Sequence, residues 1–343
     1  MKILINNIKT QNKTLNIGFV GLGWIGLNRM QALLSLPDIK GAAILEPNKE
    51  NAEKALEIAH EAEVYNSYDE LLNDPEIDAV VIATPSALHA EQAIQALEAK
   101  KAVFCQKPLG RNLKEVEKVI KAAQENNQLL GVDLSYRYTK AFQKIYKAIQ
   151  QQEIGEIYAA ELVFHNAYGP DKEWFYDYQK AGGGCVLDLG LHLVDLVLWS
   201  LNYPEVQNLK SHLFNQGEKI MENEEVVEDF ASVMCSTEHQ TSIHLQCSWN
   251  ISAGRDAVIA AKFFGTKGGL AFKNINGSFY DFVAEKYIGT QTEELVFPPD
   301  DWGGKAIKNW AESLQKGKKF DAEAAKEQIK LAKVLDRIYG RQH

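Results

Sequence analysis

The amino-acid sequence predicts an α/β fold in which a doubly wound parallel sheet is followed by an α/β domain with a mainly antiparallel sheet. Between residues 15 and 132, short apolar runs alternate with amphipathic helical patterns, as in a parallel sheet with crossover helices. After residue 132, most strand-like runs follow one another directly, which is typical of antiparallel sheets. A chain of 343 residues also exceeds the size that one hydrophobic core usually organises. We therefore expect two domains, at residues 1–134 and 135–343.

The order of the predicted elements changes at this boundary. The first domain should contain strands at 15–20, 41–45, near Val64, 78–83, 102–105 and 128–132. Amphipathic helices fall between them, at 24–36, 48–61, 67–73, 86–99 and 112–126. The second domain should contain an irregular segment at 166–184 and helices at 138–151, 184–201, 304–316 and 321–339. Its strands are expected at 157–165, 206–214, 226–236, 241–250, 257–265, 268–273, 278–284 and 292–297.

Composition and charge narrow the possible partners. The chain carries 46 acidic and 37 basic residues, and its formal charge of −9 repels phosphate backbones and anionic membrane surfaces. We therefore expect no nucleic-acid and no membrane partner. The four cysteines form no C-x-x-C pair, and their apolar surroundings predict reduced, buried thiols. The first 14 residues lack a signal-peptide pattern and no run of 18 apolar residues occurs, so we expect a cytoplasmic protein.

The first predicted strand ends in a glycine turn that reads Gly21-Leu22-Gly23-Trp24-Ile25-Gly26. Gly21 allows a tight turn, Gly23 leaves room for a pyrophosphate, and Gly26 lets the following helix pack closely on the strand. From Trp24 and Ile25 onward, the free N–H groups of that helix would point at the phosphates. This fingerprint predicts a Rossmann dinucleotide-binding domain.

An acidic residue follows the second predicted strand. Glu46 lies 20 residues beyond Gly26, where a carboxylate accepts hydrogen bonds from the adenosine ribose hydroxyls. The same carboxylate repels a ribose 2′-phosphate, and the next two residues, Pro47 and Asn48, supply no arginine to hold one. NAD is therefore favoured over NADP as the cofactor. Without the glycine turn, Glu46 would be read as a solvated acid at a strand end.

Two further loops follow predicted parallel strands, and ligands bind beyond the carboxyl ends of such strands. We therefore expect cofactor contacts from residues of both loops, namely Ala83, Thr84, Pro85, His89, Gln106 and Lys107. Lys107 stands directly at a strand end, where a lysine has no structural task. His89 lies one turn into a helix, and its position alone indicates capping or packing.

A polar stripe marks the predicted helix at 184–201. The glycines at 182–184 permit close approach to a ligand, and Asp188, His192 and Asp195 follow at helical spacing on one face. The other positions are apolar, and burying polar groups without partners is costly, so the stripe indicates a site. Two alternatives to a substrate site exist. In the first, His192 is a core histidine with satisfied hydrogen bonds, and both aspartates bond to the backbone. In the second, Asp188 and His192 share a metal ion. A metal would need further ligands, which the sequence does not offer at convincing spacing, so no metal is expected.

Five features follow one another along the chain: the glycine turn, Glu46, the T-P-x-x-x-H loop, the K-P pair and the G-G-G-x-x-x-D-x-G-x-H-x-x-D helix. In their order and spacing they resemble the Gfo/Idh/MocA oxidoreductase family. The resemblance extends over nearly the whole chain. It implies an N-terminal Rossmann domain and a C-terminal α/β domain whose large, open, mainly antiparallel sheet often mediates oligomer formation, here as a homodimer or homotetramer. Members transfer a hydride between a nicotinamide cofactor and a hydroxyl carbon of a sugar, sugar acid or cyclitol.

The resemblance also assigns catalytic roles. It implies that Lys107 and Asp188 position the substrate and that His192 transfers the proton. Histidine suits that task because it titrates near neutrality, and an ammonium stabilises alkoxide character. The family's glutamate before the lysine is Gln106 here, which supplies no negative charge beside Lys107. A cis bond between Lys107 and Pro108 is also implied.

The substrate itself is less readable. Aromatic and amide groups suited to a polyol ring occur in the irregular segment and just beyond the last parallel strand, at Tyr136, Arg137, Asn166, Tyr168 and Trp174. Core packing is the alternative for the aromatic residues. Two other functions compete with a dehydrogenase: a glycoside-cleaving lyase or hydrolase that uses tightly bound NAD for transient oxidation, and a non-catalytic cofactor-binding regulator. Lys107, Asp188 and His192 argue against the regulator.

Overall fold

Two β-sheets organise the chain, as predicted, in a computed structural model that describes residues 14–221 and 224–341. Apart from Thr14, the N-terminal segment that lacks a signal-peptide pattern lies outside the described residues. The first sheet has six parallel strands: β1 (Leu15–Val20), β2 (Ile39–Leu45), β3 (Glu63–Val64), β4 (Ala79–Ile82), β5 (Ala102–Cys105) and β6 (Leu130–Val132). Their order, β3-β2-β1-β4-β5-β6, reverses direction between β1 and β4. Ligands bind at such a switch point.

Five helices connect these strands: α1 (Trp24–Leu34), α2 (Lys49–Ile58), α3 (Tyr68–Asn73), α4 (Ser86–Glu98) and α5 (Leu113–Asn126). Their starts follow from the sequence, because the side chains of Asn48, Ser67 and Asn112 each accept a hydrogen bond from the backbone N–H three residues later. The helix α1 differs, since the residue before it is Gly23, which has no side chain to cap the helix. Its first N–H groups therefore stay available to a ligand.

The second sheet has nine strands: β7 (Ile157–Asn166), β8 (Val206–Asn215), β9 (Glu218–Lys219), β10 (Phe230–Thr237), β11 (Ser242–Ser248), β12 (Ala257–Gly265), β13 (Gly268–Asn274), β14 (Phe282–Ile288) and β15 (Gln291–Val296). They lie in the order β15-β14-β13-β12-β7-β11-β10-β8-β9. All neighbours are antiparallel except β7 and β11, which run parallel.

The remaining helices cover the second sheet and join it to the first: α6 (Lys140–Gln150), α7 (Tyr178–Ala181), α8 (Leu191–Ser200), α9 (Lys305–Gln315) and α10 (Ala322–Ile338). On α9, Trp310 packs on Phe104 of β5 with ring centroids 5.5 Å apart. On α10, Ala332 belongs to a core cluster of the first sheet and Leu335 to that of the second. The closing helices thus contact both sheets, and the division at residue 134 stays a prediction.

Three element predictions differ from the structure. The strand expected at 226–236 begins only at Phe230, because Glu228 turns inward and accepts hydrogen bonds from Gly184 N and Val186 N. The strand expected at 278–284 begins at Phe282, because Ser278 forms a turn with Asp281. The short strand β9 was not predicted at all.

The predicted helix at 184–201 begins with a π-helical turn, Val186–Gly190, and continues as α8. A stretch from Tyr178 to Ser200 is long and apolar enough to cross a membrane, but 94% of its most apolar window is buried inside the protein. It is the central helix of the second domain's core. All four cysteines are buried free thiols, as expected.

Candidate active site

A cleft of about 990 Å³ opens beyond the carboxyl ends of β1, β4 and β5 and extends to the start of α8. Val20, Ile82 and Cys105 lie side by side in the first sheet, so the loops that follow them meet at one edge. The cleft is lined by most of the predicted site residues: Gly21, Gly23, Trp24, Ile25, Glu46, Ala83, Thr84, Pro85, His89, Gln106, Lys107, Tyr136, Trp174, Asp188 and His192.

The glycine turn fits a dinucleotide pyrophosphate. Gly21 has a φ of +79°, and a Cβ atom there would lie 2.8 Å from the main chain of Ala83. A Cβ atom on Gly26 would lie 2.2 Å from the carbonyl oxygen of Gly21, so this glycine serves packing and does not line the cleft. A Cβ atom on Gly23 would meet nothing within 4 Å, which leaves open space in front of the α1 N-terminus. An anion placed there would meet uncapped N–H groups.

Glu46 is fixed at the edge of this turn. Its Oε2 accepts a hydrogen bond from Leu22 N at 2.5 Å, and its Oε1 accepts one from Asn48 N at 2.8 Å. A carboxylate has further acceptor capacity, which remains available to ribose hydroxyls. The acid therefore both holds the glycine turn in shape and lines the cleft.

His89 ties together two of the loops around the cleft. Its Nδ1 lies 2.7 Å from the carbonyl oxygen of Pro108, and its Nε2 lies 2.7 Å from that of Thr84. Burial lowers the pKa of this imidazole, and the two carbonyl groups offset part of that effect. The ring lines the cleft and also has the packing role that its position in the sequence indicates.

Lys107 and Asp188 line the cleft and form an ion pair. Lys107 Nζ donates to Asp188 Oδ1 and to the Asp188 main-chain oxygen, both at 2.7 Å. That second contact reaches the π-helical turn directly, and such turns are frequent at functional sites. The other carboxylate oxygen, Oδ2, accepts a hydrogen bond from Trp249 Nε1 at 3.0 Å. Asp188 is therefore held from both sides, and the Lys107–Pro108 bond that leads into the loop is cis.

His192 lies one turn beyond Asp188 and is buried, with 8% of its surface exposed. Burial lowers its pKa well below the ordinary value, and the positive charges of Lys107 and Arg29 lower it further. Its ring packs against Tyr136, with centroids 4.7 Å apart. At neutral pH the imidazole is therefore uncharged and able to accept a proton.

Two family models match the chain. The model described as an oxidoreductase family with an NAD-binding Rossmann fold matches residues 15–134, and the GFO/IDH/MocA C-terminal domain matches residues 142–271. The chain belongs to the Gfo/Idh/MocA oxidoreductase family. It therefore has an NAD(P)-binding Rossmann domain followed by the C-terminal domain of that family.

Individual relatives fit this assignment. The chain is 27% identical to the uncharacterized oxidoreductase YrbE of Bacillus subtilis, over 83% of this chain and 85% of that protein. It is 29% identical to myo-inositol 2-dehydrogenase of Thermotoga maritima, over 53% of each chain. KijD10, a 3-ketoreductase from Actinomadura kijaniata solved with NADP and TDP-benzene, has the same fold with a TM-score of 0.81. That likeness covers 95% of this chain and 97% of KijD10 at 22% identity.

The Gfo/Idh/MocA motif departs from its usual form at Gln106, and the structure shows what this side chain does. Its amide donates a hydrogen bond to Asp133 Oδ2, which also accepts one from Arg29 Nε at 2.5 Å. Ser135 donates to the other carboxylate oxygen of Asp133. The negative charge beside Lys107 comes from Asp188 instead of residue 106.

Sequence reasoning missed several residues at the cleft. Arg29 and Asp133 line it but are 104 positions apart, so no local motif contains both. Trp249, which fixes Asp188, follows β11 and is 61 residues away from it. The position of Asp133 directly after β6, at the same sheet edge as Lys107, was the available signal.

Three predicted substrate contacts lie elsewhere. Arg137 does not line the cleft, because its guanidinium pairs with Asp195 at 2.5 Å and with Glu327 at 2.9 Å. Asn166 and Tyr168 lie outside the cleft as well: Tyr168 is exposed and donates to Asp256 Oδ1 at 2.6 Å, while Asn166 Oδ1 accepts from Tyr168 N.

The polar stripe is also corrected, because Asp195 points to Arg137 and not into the cleft with Asp188 and His192. Two of the three glycines, Gly183 and Gly184, line the cleft, and both are also required by packing within the protein. A Cβ atom on Gly183 would lie 2.1 Å from Tyr339 Oη, and one on Gly184 would lie 2.0 Å from the carbonyl oxygen of Glu228.

Proposed function

We propose that this Gfo/Idh/MocA protein is a dehydrogenase or reductase that transfers a hydride between NAD and a hydroxyl-bearing carbon of a sugar, sugar acid or cyclitol. One observation carries the proposal: Lys107, Asp188 and His192 line the same cleft as the glycine turn. The relative myo-inositol 2-dehydrogenase is named for the oxidation of a cyclitol, and the structural neighbour KijD10 is described as a 3-ketoreductase. Both names support this reaction class.

The cofactor would be held by the residues of the first domain that line the cleft. The glycine turn and the α1 N-terminus would bind the pyrophosphate, and Glu46 the adenosine ribose. The loops after β4 and β5 would contact the rest of the molecule. When bound, the nicotinamide ring supplies the hydride acceptor or donor.

The side chains of the cleft would handle the proton and the charge on the substrate oxygen. His192, uncharged because of its lowered pKa, would take the hydroxyl proton on a ring nitrogen as the alcohol is oxidised. An ammonium has three N–H groups, and Lys107 directs two of them to Asp188. The third would stabilise negative charge on the substrate oxygen. Asp188, fixed by Trp249, would set the direction of that ammonium.

The preference for NAD rests on Glu46. Its carboxylate would repel a ribose 2′-phosphate, and Pro47 and Asn48 offer no arginine in compensation. We expect a lower KM for NAD than for NADP in the wild-type protein. Replacing Glu46 by Ser and Pro47 by Arg should shift the preference toward NADP. Wild-type protein that binds NADP at least as tightly as NAD would contradict this part of the proposal.

Three further properties belong to the proposal. Residues 1–134 would bind the cofactor, and residues 135–343 would bind the substrate and form a homodimer or homotetramer through the nine-stranded sheet. Three of its strands, β7, β10 and β14, carry the exposed side chains of Tyr158, Met234 and Ile288, which suits such an interface. The expected location is the cytoplasm.

Kinetics on a substrate panel test the reaction. Wild-type protein mixed with NAD and sugars, sugar acids or cyclitols should form reduced cofactor, measured by its near-ultraviolet absorbance. His192→Ala should lower kcat by roughly 10² to 10⁴, the range for a lost acid–base group, while cofactor affinity stays nearly unchanged. The exposed His60 at the end of α2 offers a matched control, His60→Ala, which should retain full activity. Substrate conversion without net reduced cofactor would support the glycoside-cleaving alternative instead.

A further inference from the structure

Every cation that lines the described part of the cleft is already paired with a carboxylate. Lys107 pairs with Asp188 at 2.7 Å, and Arg29 pairs with Asp133 at 2.5 Å. At the mouth, the exposed Lys172 lies 3.1 Å from its neighbour Asp171. The charge of each cation is therefore already balanced, and the one N–H that Lys107 has left is the one that the proposed reaction assigns to the substrate oxygen.

The charge balance of the cleft also disfavours a substrate that carries a carboxylate or phosphate. Its described lining holds four carboxylates, those of Glu46, Asp133, Asp171 and Asp188, against three cations. A bound dinucleotide would add the negative charges of its pyrophosphate and would occupy the α1 N-terminus. A second anion in the same cleft would then meet a negative field.

Aromatic side chains line part of the cleft. Trp174 and Phe175 stack with ring centroids 3.8 Å apart. Tyr280 and Trp302 form a second pair, with centroids 6.4 Å apart, and Trp302 Nε1 donates to the Tyr280 carbonyl oxygen at 2.9 Å. All four line the cleft, and Tyr280 keeps 57% of its surface exposed. Such side chains suit the apolar faces of an uncharged ring.

We infer that the substrate is an uncharged sugar or cyclitol ring that packs against aromatic side chains of the cleft, and that the cleft discriminates against anionic members of the same class. The inference rests on the proposed function and narrows it by excluding sugar acids, sugar phosphates and nucleotide-linked sugars. The discrimination comes from the absence of an unpaired cation in the described lining and from the surplus of carboxylates.

Matched pairs of ligands test the inference. The panel pairs myo-inositol with myo-inositol phosphate, glucose with glucuronate, and glucose with glucose 6-phosphate, each in the presence of NAD or NADP. We expect kcat/KM for the best neutral compound to exceed that of its anionic partner about tenfold or more. An anionic compound that equals or exceeds its neutral partner overturns the inference while leaving the proposed hydride transfer intact.

Calorimetric binding to the cofactor-loaded protein gives a reading that does not depend on turnover. If a neutral compound binds more tightly than the anionic member of its pair, the result supports the inference, whether or not hydride is transferred. Such binding without any hydride transfer contradicts only the proposed function. Tighter binding of the anionic partner, or binding of neither member of any pair, overturns the inference.

A charge-freeing variant tests the cause. Asp171→Asn removes the carboxylate beside Lys172, so the kcat/KM ratio of anionic to neutral compound should rise several-fold. Glu125→Gln frees Lys121 in the same way on α5, outside the cleft lining, and should leave the ratio unchanged. Equal ratios in Asp171→Asn and wild type would contradict the electrostatic explanation.

Discussion

Lys107 and His192 are coupled through charge. Burial is the main cause of the low pKa of His192, and the Lys107 ammonium and the Arg29 guanidinium lower it further. The sequence placed both residues at the site, but it gave no indication that the lysine also lowers the pKa of the histidine. That coupling makes the pair testable by titration.

Lys107→Met should raise the pKa of His192 and also lower kcat, because the variant keeps the length of the side chain but removes its positive charge. The His192 pKa should stay below its ordinary value, since burial persists. In the proposed alcohol oxidation, protonated His192 cannot accept the substrate proton, so the acid limb of the pH–rate profile should move to higher pH. NMR titration of the His192 ring measures the shift directly. Lys121→Met, at an exposed position on α5, is the matched control, and an unchanged His192 titration in Lys107→Met would refute the coupling.

At position 106, the family's glutamate is replaced by Gln106, and the effect of this replacement depends on the neighbouring Asp133. Restoring the family's glutamate by Gln106→Glu would place a second carboxylate against buried Asp133, where the amide now donates a hydrogen bond. We expect the free energy of unfolding to fall by roughly 1–3 kcal/mol. Adding Asp133→Asn recreates an amide–carboxylate pair and should recover part of the loss. Urea denaturation of the three proteins measures this, and full stability of Gln106→Glu alone would show that Arg29 accommodates both acids.

At the scale of elements, the start of α1 contains two glycines that are needed for different reasons. Gly26 is needed because its hydrogen atom faces the Gly21 carbonyl, whereas Gly23 faces open space with an ordinary extended backbone. The sequence motif names both glycines without separating these reasons. The turn therefore offers a matched pair of substitutions.

Gly26→Ala should lower the free energy of unfolding by roughly 1–3 kcal/mol, because its methyl group would overlap the Gly21 carbonyl oxygen. Gly23→Ala should leave stability nearly unchanged but weaken dinucleotide binding, since the methyl group would enter the space for the pyrophosphate. Thermal unfolding and calorimetric NAD titration separate the two effects. A stable Gly23→Ala variant with wild-type NAD affinity would show that the pyrophosphate does not approach residue 23.

The helix that carries Asp188 and His192 has features that its sequence pattern did not predict. Its apolar positions and polar stripe were predicted, but its first turn is π-helical and Asp195 faces away from the cleft. The triple glycine before it fits against Tyr339 and the Glu228 carbonyl, which lie far along the chain. A local pattern gives a helix and its approximate faces, and the neighbours decide the details of its first turn.

At the scale of the whole molecule, Arg137 joins segments that the sequence separates widely. It follows the last strand of the first sheet and pairs with Asp195 on α8 and Glu327 on α10. Its guanidinium also lies over the Trp199 ring, 5.1 Å from the centroid. Burial raises the pKa of Asp195, and Arg137 opposes that rise.

Arg137→Met should lower the free energy of unfolding by about 3–5 kcal/mol, because it leaves the buried Asp195 without its cation. The double variant with Asp195→Leu should recover much of this loss. Neither change should raise the substrate KM by more than a few-fold, since Arg137 does not line the cleft. Urea denaturation together with steady-state kinetics tests both expectations. A stable Arg137→Met protein with a greatly raised KM would restore the substrate contact predicted from the sequence.

The sequence by itself determined the two-sheet α/β architecture and the glycine turn, and it singled out Lys107, Asp188 and His192, which line one cleft in the structure. It could do so because strand and helix periodicity, turn glycines and helical spacing are local properties of the chain. Only the tertiary structure decided that Arg137 supports the fold, that Gln106 bonds to Asp133, that Trp249 fixes Asp188 and that every cation lining the described cleft is paired. These outcomes depend on which side chains meet across distances of tens to hundreds of residues, and local patterns carry no information about such meetings.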